Sequence, residues 1–141
     1  SGYFNPVHKG HMNLFKAAKA LGDFLVVIVN NDEQVKVKES RPFMSEVERM
    51  DIISEIKHVD AVFLSIDRGL SIADSLKSVA RQYKGELYFA KGGDRNTNNI
   101  PKAERIVCQN FNIQIINGVG GEKVQSSSWL LSKSNTKRSL A

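Results

Sequence analysis

The sequence has a single cysteine, Cys108, among its 141 residues. One cysteine excludes an internal disulfide and is typical of a reducing compartment, so we expect a cytoplasmic protein. No cationic pattern flanks this thiol on its predicted helix, which favours a buried and unreactive side chain. Long apolar runs are also missing: the longest, 24–29, falls far short of the roughly 20 residues that a bilayer span needs. Together with the lack of a signal-peptide pattern, this predicts no membrane partner.

The charge balance is basic, with 20 Lys and Arg residues against 15 Asp and Glu residues and a net charge of +5. There is no basic stripe with interleaved aromatic residues, so small polyanionic ligands are expected rather than nucleic acid. Part of the excess lies in residues 133–141, which we predict to be a polar basic tail behind a domain of residues 1–132. Another part, Lys36, Lys38 and Arg41, lies in a predicted loop, where a phosphate-binding group would be placed.

Short apolar runs alternate with amphipathic patterns along the chain. Apolar runs without polar interruption are typical of strands that are covered on both faces of a sheet. Their alternation with helices predicts right-handed crossovers and a doubly wound, mostly parallel α/β sheet, with ligands at the carboxyl ends of the strands. The predicted strands are 24–30, 61–65, 87–90 and 113–117, and the predicted helices are 11–21, 45–56, 71–83 and 101–110.

Sequence signals mark the beginning of three of these helices. Ser45 and Glu48 form the S-x-x-E pattern of a capping box, in which each side chain bonds the other residue's backbone N–H. Ser71 and Asp74 have the same spacing at the start of the next helix. Pro101 lies near the first turn of the last helix, where its missing N–H costs nothing.

Segment 2–11 concentrates residues that suit an anion site. Gly2 permits a close approach of the backbone, and Pro6 makes the turn rigid. His8 and His11 are three residues apart at the start of the first predicted helix, whose free N–H groups favour anions. Transfer of a phosphoryl-type group needs in-line positioning and donors on the charged oxygens more than covalent help. The segment therefore predicts a site for such a reaction.

The two histidines also have other interpretations. They could be a metal-binding pair, although no Cys, Asp or Glu lies close in sequence to complete a ligand set, or they could be helix caps. The segment is neither a P-loop nor a dinucleotide-binding fingerprint, since both glycine patterns are absent. A glycine-led ligand loop needs a strand before it. Because only Ser1 precedes Gly2, we expect that the first strand is missing from the sequence.

The residues of segment 2–11 resemble a known signature. Gly-Tyr-Phe-Asn-Pro-Val-His-Lys-Gly-His is similar to the G-x-F-x-P-x-H-x-G-H signature of the cytidylyltransferase-like nucleotidyltransferases. Further segments resemble that family in the same order along the chain, which makes a chance agreement improbable. These segments are 30–33, the lysine loop with Lys36 and Lys38, Arg41-Pro42-Phe43, Glu48-Arg49, 57–62, Lys91-Gly92-Gly93-Asp94 and 125–128.

The resemblance implies a Rossmann-like nucleotidyltransferase fold and a role for each matching residue. His8, His11 and Lys38 would be catalytic, and Mg²⁺ would be bound mainly through the triphosphate, without a metal cage in the protein. Taken without the resemblance, Lys36 and Lys38 would be a solvated edge and Arg49 a surface ion pair. Nucleotide binding is implied for Tyr3, Phe4, Asn5, Gly10, Lys36, Gly92, Gly93, Asp94, Gln125, Ser126, Ser127 and Ser128. Acceptor binding is implied for Asp32, Arg41 and Arg49.

The function that the resemblance implies is transfer of CMP or AMP from CTP or ATP to a small phosphorylated substrate, such as a sugar or polyol phosphate, with release of pyrophosphate. Many family members have Asp at the position of Asn5, so the choice between cytosine and adenine stays open. A homodimer is expected. The alternatives are a nucleotide-binding module without turnover and an adenylyltransferase that acts on a cofactor precursor.

Overall fold

The computed structural model describes residues 1–38, 41–93 and 99–121. Several predicted features lie outside these ranges: Asp94, Gln125, Ser126, Ser127, Ser128 and the basic tail 133–141. The predicted roles of these residues therefore stay predictions.

Helices and strands alternate along most of the described chain. None of the described helices is both long and apolar enough to span a membrane. The helices are α1 (Lys9–Ala20), α2 (Asp32–Val37), α3 (Glu46–Ser54), α4 (Ala73–Gln82) and α5 (Lys102–Asn110), and the strands are β1 (Val26–Val29), β2 (Ala61–Leu64), β3 (Leu87–Gly92) and β4 (Ile113–Val119).

All of the described strand pairings are parallel. Strand β1 pairs with β2 in the register Val26 to Ala61, and β3 pairs with β4 in the register Leu87 to Ile113. Ahead of α1, Gly2 forms a parallel bridge with Val29 at the carboxyl end of β1. Parallel strands with helices between them confirm the predicted α/β class.

The core lies on both faces of the strands because successive side chains of β1 point to opposite sides. Ile28 packs with α4, α5, β3 and β4 in one buried cluster, which also contains Phe89 and Cys108. Val27 and Val29 pack on the other face, with Phe15 of α1 and with residues of α3. Strand β1 thus contributes to both clusters, and the cluster at Ile28 joins it to the β3–β4 pair. This packing brings the carboxyl ends of the strands to the start of α1.

Cys108 is 3% exposed, which confirms the buried thiol. Burial raises the pKa of this thiol to about 11, and the Glu104 carboxylate adds to the effect. A thiol with such a pKa carries almost no thiolate near neutral pH and is a poor nucleophile.

Two sequence predictions about the helices are wrong. Lys36 was expected to lie in a loop with Lys38 and Arg41, but it lies in α2, whose Val35 is buried; Lys38 follows the helix, and Arg41 lies outside helices and strands as expected. The cap of α4 does not follow the predicted Ser71–Asp74 box, because the Asp67 carboxylate accepts the backbone N–H groups of Asp74 and Ser75 instead. At α4, a carboxylate seven residues before Asp74 replaces the local box, and at α2 the burial of Val35 favours the helix. The Ser45 cap is confirmed by a hydrogen bond of 3.2 Å from the Glu48 backbone N–H.

Candidate functional site

The segment before α1 is fixed at both of its ends. Backbone hydrogen bonds of 3.1 and 2.9 Å join Gly2 to Ile28 and to Asn30, respectively. A Cβ atom on residue 2 would lie 2.8 Å from the Phe4 ring, so the position requires glycine. Phe4 has a positive φ of 52° and is 1% exposed, with its ring packed against Phe15. Its side chain belongs to the core, and only its backbone is available for the implied nucleotide contact.

His8 and His11 together cap the beginning of α1. The Nδ1 atom of His8 accepts a hydrogen bond of 3.1 Å from the Gly10 backbone N–H. In return, the His8 backbone N–H donates to Nδ1 of His11, also over 3.1 Å. This is the reciprocal geometry of a capping box, with histidines in place of Ser and Glu. The alternative that the histidines are helix caps is therefore confirmed, and it is compatible with a second role.

The caps determine which nitrogen of each imidazole carries a proton. An Nδ1 atom that accepts from a backbone N–H offers its lone pair, so a neutral ring then has its proton on Nε2. The two rings stack with centroids 3.7 Å apart and planes 24° apart. Burial is the main cause that lowers the pKa of His11 from 6.5 to about 3, and the neighbouring His8 contributes to the same shift. His11 is therefore a neutral hydrogen-bond donor through Nε2 near neutral pH.

The Arg49 side chain forms hydrogen bonds with three segments of the chain around residues 2–11. It is 0% exposed, so the expectation of a surface ion pair is wrong. Its Nη1 donates to the Tyr3 and Asn30 carbonyl oxygens over 2.7 and 2.6 Å, respectively. Its Nε donates to the Met44 carbonyl over 3.1 Å, and Nη2 pairs with Asp32 Oδ1 over 2.7 Å.

The ion pair between Arg49 and Asp32 also bears on the predicted acceptor-binding role of these two residues. A guanidinium without exposed surface, bonded to three carbonyls and a carboxylate, does not reach a small molecule in solvent. The Asp32 carboxylate forms an ion pair with the guanidinium through its Oδ1 atom. Both residues therefore hold the loop in place. The Asp32 side chain is still partly exposed and Arg41 is exposed, so the predicted acceptor contacts stay predictions.

The Asn5 side chain attaches the loop to residues 41–44. Its amide nitrogen donates to the Arg41 carbonyl over 2.7 Å, and its oxygen accepts from the Phe43 and Met44 backbone N–H groups over 2.6 and 3.3 Å. An ionised aspartate has no donor for the Arg41 carbonyl. This contact gives a structural reason for Asn rather than Asp at position 5.

The two predicted lysines differ in their surroundings. Lys36 lies in the last turn of α2 and forms an exposed ion pair of 3.4 Å with Glu33, which is the solvated interpretation of the pattern. Lys38 follows the helix and places its Nζ atom 4.4 Å from the centre of the Tyr3 ring. The structure therefore brings Lys38 to the loop and leaves Lys36 on the surface.

The carboxyl ends of β3 and β4 meet the first turns of α1 at Leu14. A Cβ atom on Gly92 would lie 3.1 Å from the Leu14 side chain, and one on Gly120 would lie 3.0 Å from the Leu14 Cα atom. Gly93 and Gly120 have φ angles of +65° and +87°, which glycine tolerates best. The predicted residues Gly92 and Gly93 thus lie on the side of the molecule that bears residues 2–11, which we call the histidine loop.

Two polar residues missed by the sequence analysis connect the strand ends. Asn31 caps α2 reciprocally with Gln34, and its amide donates to the Ser65 and Asp67 carbonyls after β2. The Gln34 amide donates to the Gly69 carbonyl over 2.8 Å. The signal was available, because Asn-Asp-Glu-Gln at 31–34 fits the capping-box spacing.

No group of three or more His, Cys, Asp or Glu side chains within the described ranges is arranged to hold a metal ion. At the loop itself, the Nδ1 atoms of His8 and His11 already accept backbone N–H groups. The side chains described there are neutral imidazoles, an amide and a lysine, which do not form a cage for Mg²⁺, a cation that prefers carboxylate oxygens. Mg²⁺ bound mainly through the triphosphate stays a prediction.

Comparisons with known proteins agree with this geometry. Residues 1–130 match the family model described as cytidylyltransferase-like. An FAD synthase from Thermococcus sibiricus is 32% identical over 116 residues, which make up 82% of this chain and 74% of that protein. The bifunctional protein HldE from Koribacter versatilis is 30% identical over 124 residues, which make up 86% of this chain but only 24% of that protein.

A solved structure also has a similar fold. The crystal structure of the lipopolysaccharide core biosynthesis protein from Thermoplasma volcanium superposes with a TM-score of 0.62 at 29% sequence identity. The superposition covers 82% of this chain and 89% of that one. The parallel α/β architecture is therefore shared over most of both chains.

We predict that Arg49→Met destabilises the protein strongly. The substitution leaves the Asp32 carboxylate and three carbonyls without their common donor, and breaking a buried ion pair in this way costs about 3–5 kcal/mol. Arg68→Met is the matched control, because Arg68 is exposed after β2 and should change the free energy of unfolding by less than about 0.5 kcal/mol. Urea denaturation measures both values. Equal stabilities for the two variants would contradict the role of Arg49.

We also predict that His11 makes the protein less stable in acid. Below pH 6.5 the unfolded chain protonates His11, whereas the folded chain keeps it neutral until the pH approaches about 3. The free energy of unfolding should therefore fall as the pH decreases through this window. His11→Asn, which keeps an acceptor for the His8 backbone N–H, should show a shallower decline. Urea denaturation of both proteins across the window gives the difference, and parallel curves would count against the neutral His11.

Proposed function

The chain belongs to the cytidylyltransferase-like family of nucleotidyltransferases, and on that premise we propose that it transfers AMP from ATP to a small phosphorylated acceptor. The observation that carries the proposal is the stacked pair His8 and His11 at the beginning of α1. Their Nδ1 atoms are occupied by backbone N–H groups, which leaves Nε2–H donors at a helix terminus that favours anions.

The pair suits a transition state in which charge grows on phosphate oxygens. An acceptor phosphate oxygen forms a bond to the α-phosphorus while the bond from this phosphorus to the bridging oxygen breaks and pyrophosphate leaves. Fixed donors stabilise such charge without reorganising during the reaction. A Mg²⁺ ion, if held by the phosphates, would supply further charge neutralisation. No covalent enzyme intermediate is needed.

The two histidines are given different roles in this proposal. Both residues are partly buried, and the Nε2 atom of His8 has no exposed surface. We therefore assign the first phosphate contact to His11 and a supporting role to His8, which orients His11 through its backbone N–H. Lys38 would neutralise triphosphate charge as a compact cation on a long stem. Gly92 and Gly93 would lie near the nucleoside, together with Asp94 and Ser126, Ser127 and Ser128.

The comparisons favour adenylyl transfer and two classes of acceptor. The FAD synthase relative spans a similar length of chain and suggests FMN as the acceptor. The HldE relative and the lipopolysaccharide core biosynthesis protein suggest a sugar 1-phosphate. Either class presents a phosphate to the α-phosphorus, so one loop serves both. A cytoplasmic location and a homodimer stay predictions.

A pyrophosphate-release assay tests the proposal. ATP and CTP are each combined with FMN, heptose 1-phosphate and glycerol 3-phosphate in the presence of Mg²⁺. We expect ATP to support turnover with FMN or the sugar phosphate, and His11→Ala to lower kcat/KM by about 100-fold or more, as removal of one fixed donor does elsewhere.

His58→Ala is the matched control, since His58 lies just ahead of β2 and outside the loop. It should keep kcat/KM within about twofold. If ATP stabilises the protein thermally but no acceptor releases pyrophosphate, the chain is a nucleotide-binding module and the proposed reaction is wrong. An unchanged rate in His11→Ala would remove the histidine from the mechanism.

A further inference from the structure

Tyr3 and Lys38 form a contact that the signature motif does not explain. Position 3 is a variable position of the G-x-F-x-P-x-H-x-G-H pattern, yet its aromatic ring lies 4.4 Å from the Lys38 Nζ atom. A cation above the face of a phenol ring is attracted by the quadrupole of the ring. The contact therefore links the histidine loop to the lysine that follows α2.

Both partners are anchored through their backbones. The Tyr3 carbonyl accepts a hydrogen bond of 2.7 Å from Arg49, and the neighbouring Gly2 is bridged to β1. On the other side, the Lys38 backbone N–H bonds the Gln34 and Lys36 carbonyls and so ends α2. The α2 helix is itself held by its reciprocal Asn31–Gln34 cap. The ring and the ammonium thus meet because two separately fixed segments place them together.

We propose that Tyr3 is a positioning residue that holds the Lys38 ammonium beside the histidine loop, ready for the triphosphate. The inference rests on the proposed function, because it takes Lys38 as a triphosphate contact. A lysine has a long stem with many rotamers, and ordering such a side chain on binding costs free energy. A ring that restricts the stem before the nucleotide arrives reduces that cost. Tyr3 acts through Lys38 and need not touch the reacting atoms.

The size of the effect follows from the strength of the contact. Cation–π contacts of this kind contribute a factor of about 2 to 30 in an equilibrium constant. Removing the ring should therefore lower kcat/KM for ATP by about 2- to 30-fold, chiefly through a higher KM for ATP. The KM for the acceptor should not change, because the acceptor does not depend on Lys38.

The experiment compares Tyr3→Leu with Tyr3→Phe, each with and without Lys38→Ala. Tyr3→Phe keeps the ring and should stay within about twofold of the parent chain, whereas Tyr3→Leu should show the loss. In the Lys38→Ala background, Tyr3→Leu should have no further effect, because its partner is already gone. Tyr88→Leu is the control for the loss of a partly exposed tyrosine, since Tyr88 lies on β3 and bonds Glu86.

The outcomes separate the inference from the proposed function. If Lys38→Ala has normal kcat/KM for ATP, the triphosphate role of Lys38 fails and the proposal for Tyr3 fails with it. If Lys38→Ala is impaired but Tyr3→Leu is not, or if Tyr3→Phe loses as much as Tyr3→Leu, only the positioning role is overturned. If the losses of kcat/KM add in the Tyr3→Leu, Lys38→Ala double variant and its melting temperature falls, the positioning role is also contradicted. That result would indicate a general packing role for Tyr3.

Discussion

The geometry of the candidate site depends on the buried guanidinium of Arg49. Its bonds to Tyr3, Asn30 and Met44 join three segments that are far apart in sequence. A single planar group with several fixed donors can satisfy such a set of carbonyls, which a lysine ammonium cannot match. The ion pair with Asp32 compensates the charge in a place without exposed surface. Because three segments share one donor, a change in any one of them would disturb the others.

The chemistry of the histidines follows from this fixed backbone. With the loop held by Arg49 and Asn5, the beginning of α1 is placed so that His8 and His11 accept its free N–H groups. Capping determines the tautomers, and burial determines that His11 stays neutral. The helix cap and the proposed catalytic role thus depend on different atoms of the rings. Nδ1 caps the helix, and Nε2 is the donor proposed for the phosphate. The proposed placement of Lys38 by Tyr3 extends the same preorganisation.

Periodicity predicted the parallel α/β class and four of the five helices in the described part of the chain, because buried strands and amphipathic helices leave local patterns. The resemblance at 2–11 indicated the loop that the structure builds around His8 and His11. Contacts between distant segments were not predictable in this way. Arg49 beside Glu48 has the pattern of an exposed ion pair, and only tertiary packing buries it. Helix α2 was missed because its Val35 and Val37 alternate with lysines as they would in a strand.

The central claim is that His8 and His11 are neutral imidazoles with the proton on Nε2, fixed by the capping of α1. The most direct measurement is nitrogen-15 NMR of the imidazole rings in the folded protein across a pH titration. The account predicts Nε2–H tautomers for both rings at neutral pH and no protonation of His11 until the pH approaches about 3. A proton on Nδ1 of either ring at neutral pH, or an imidazolium at His11 near pH 6.5, would contradict it.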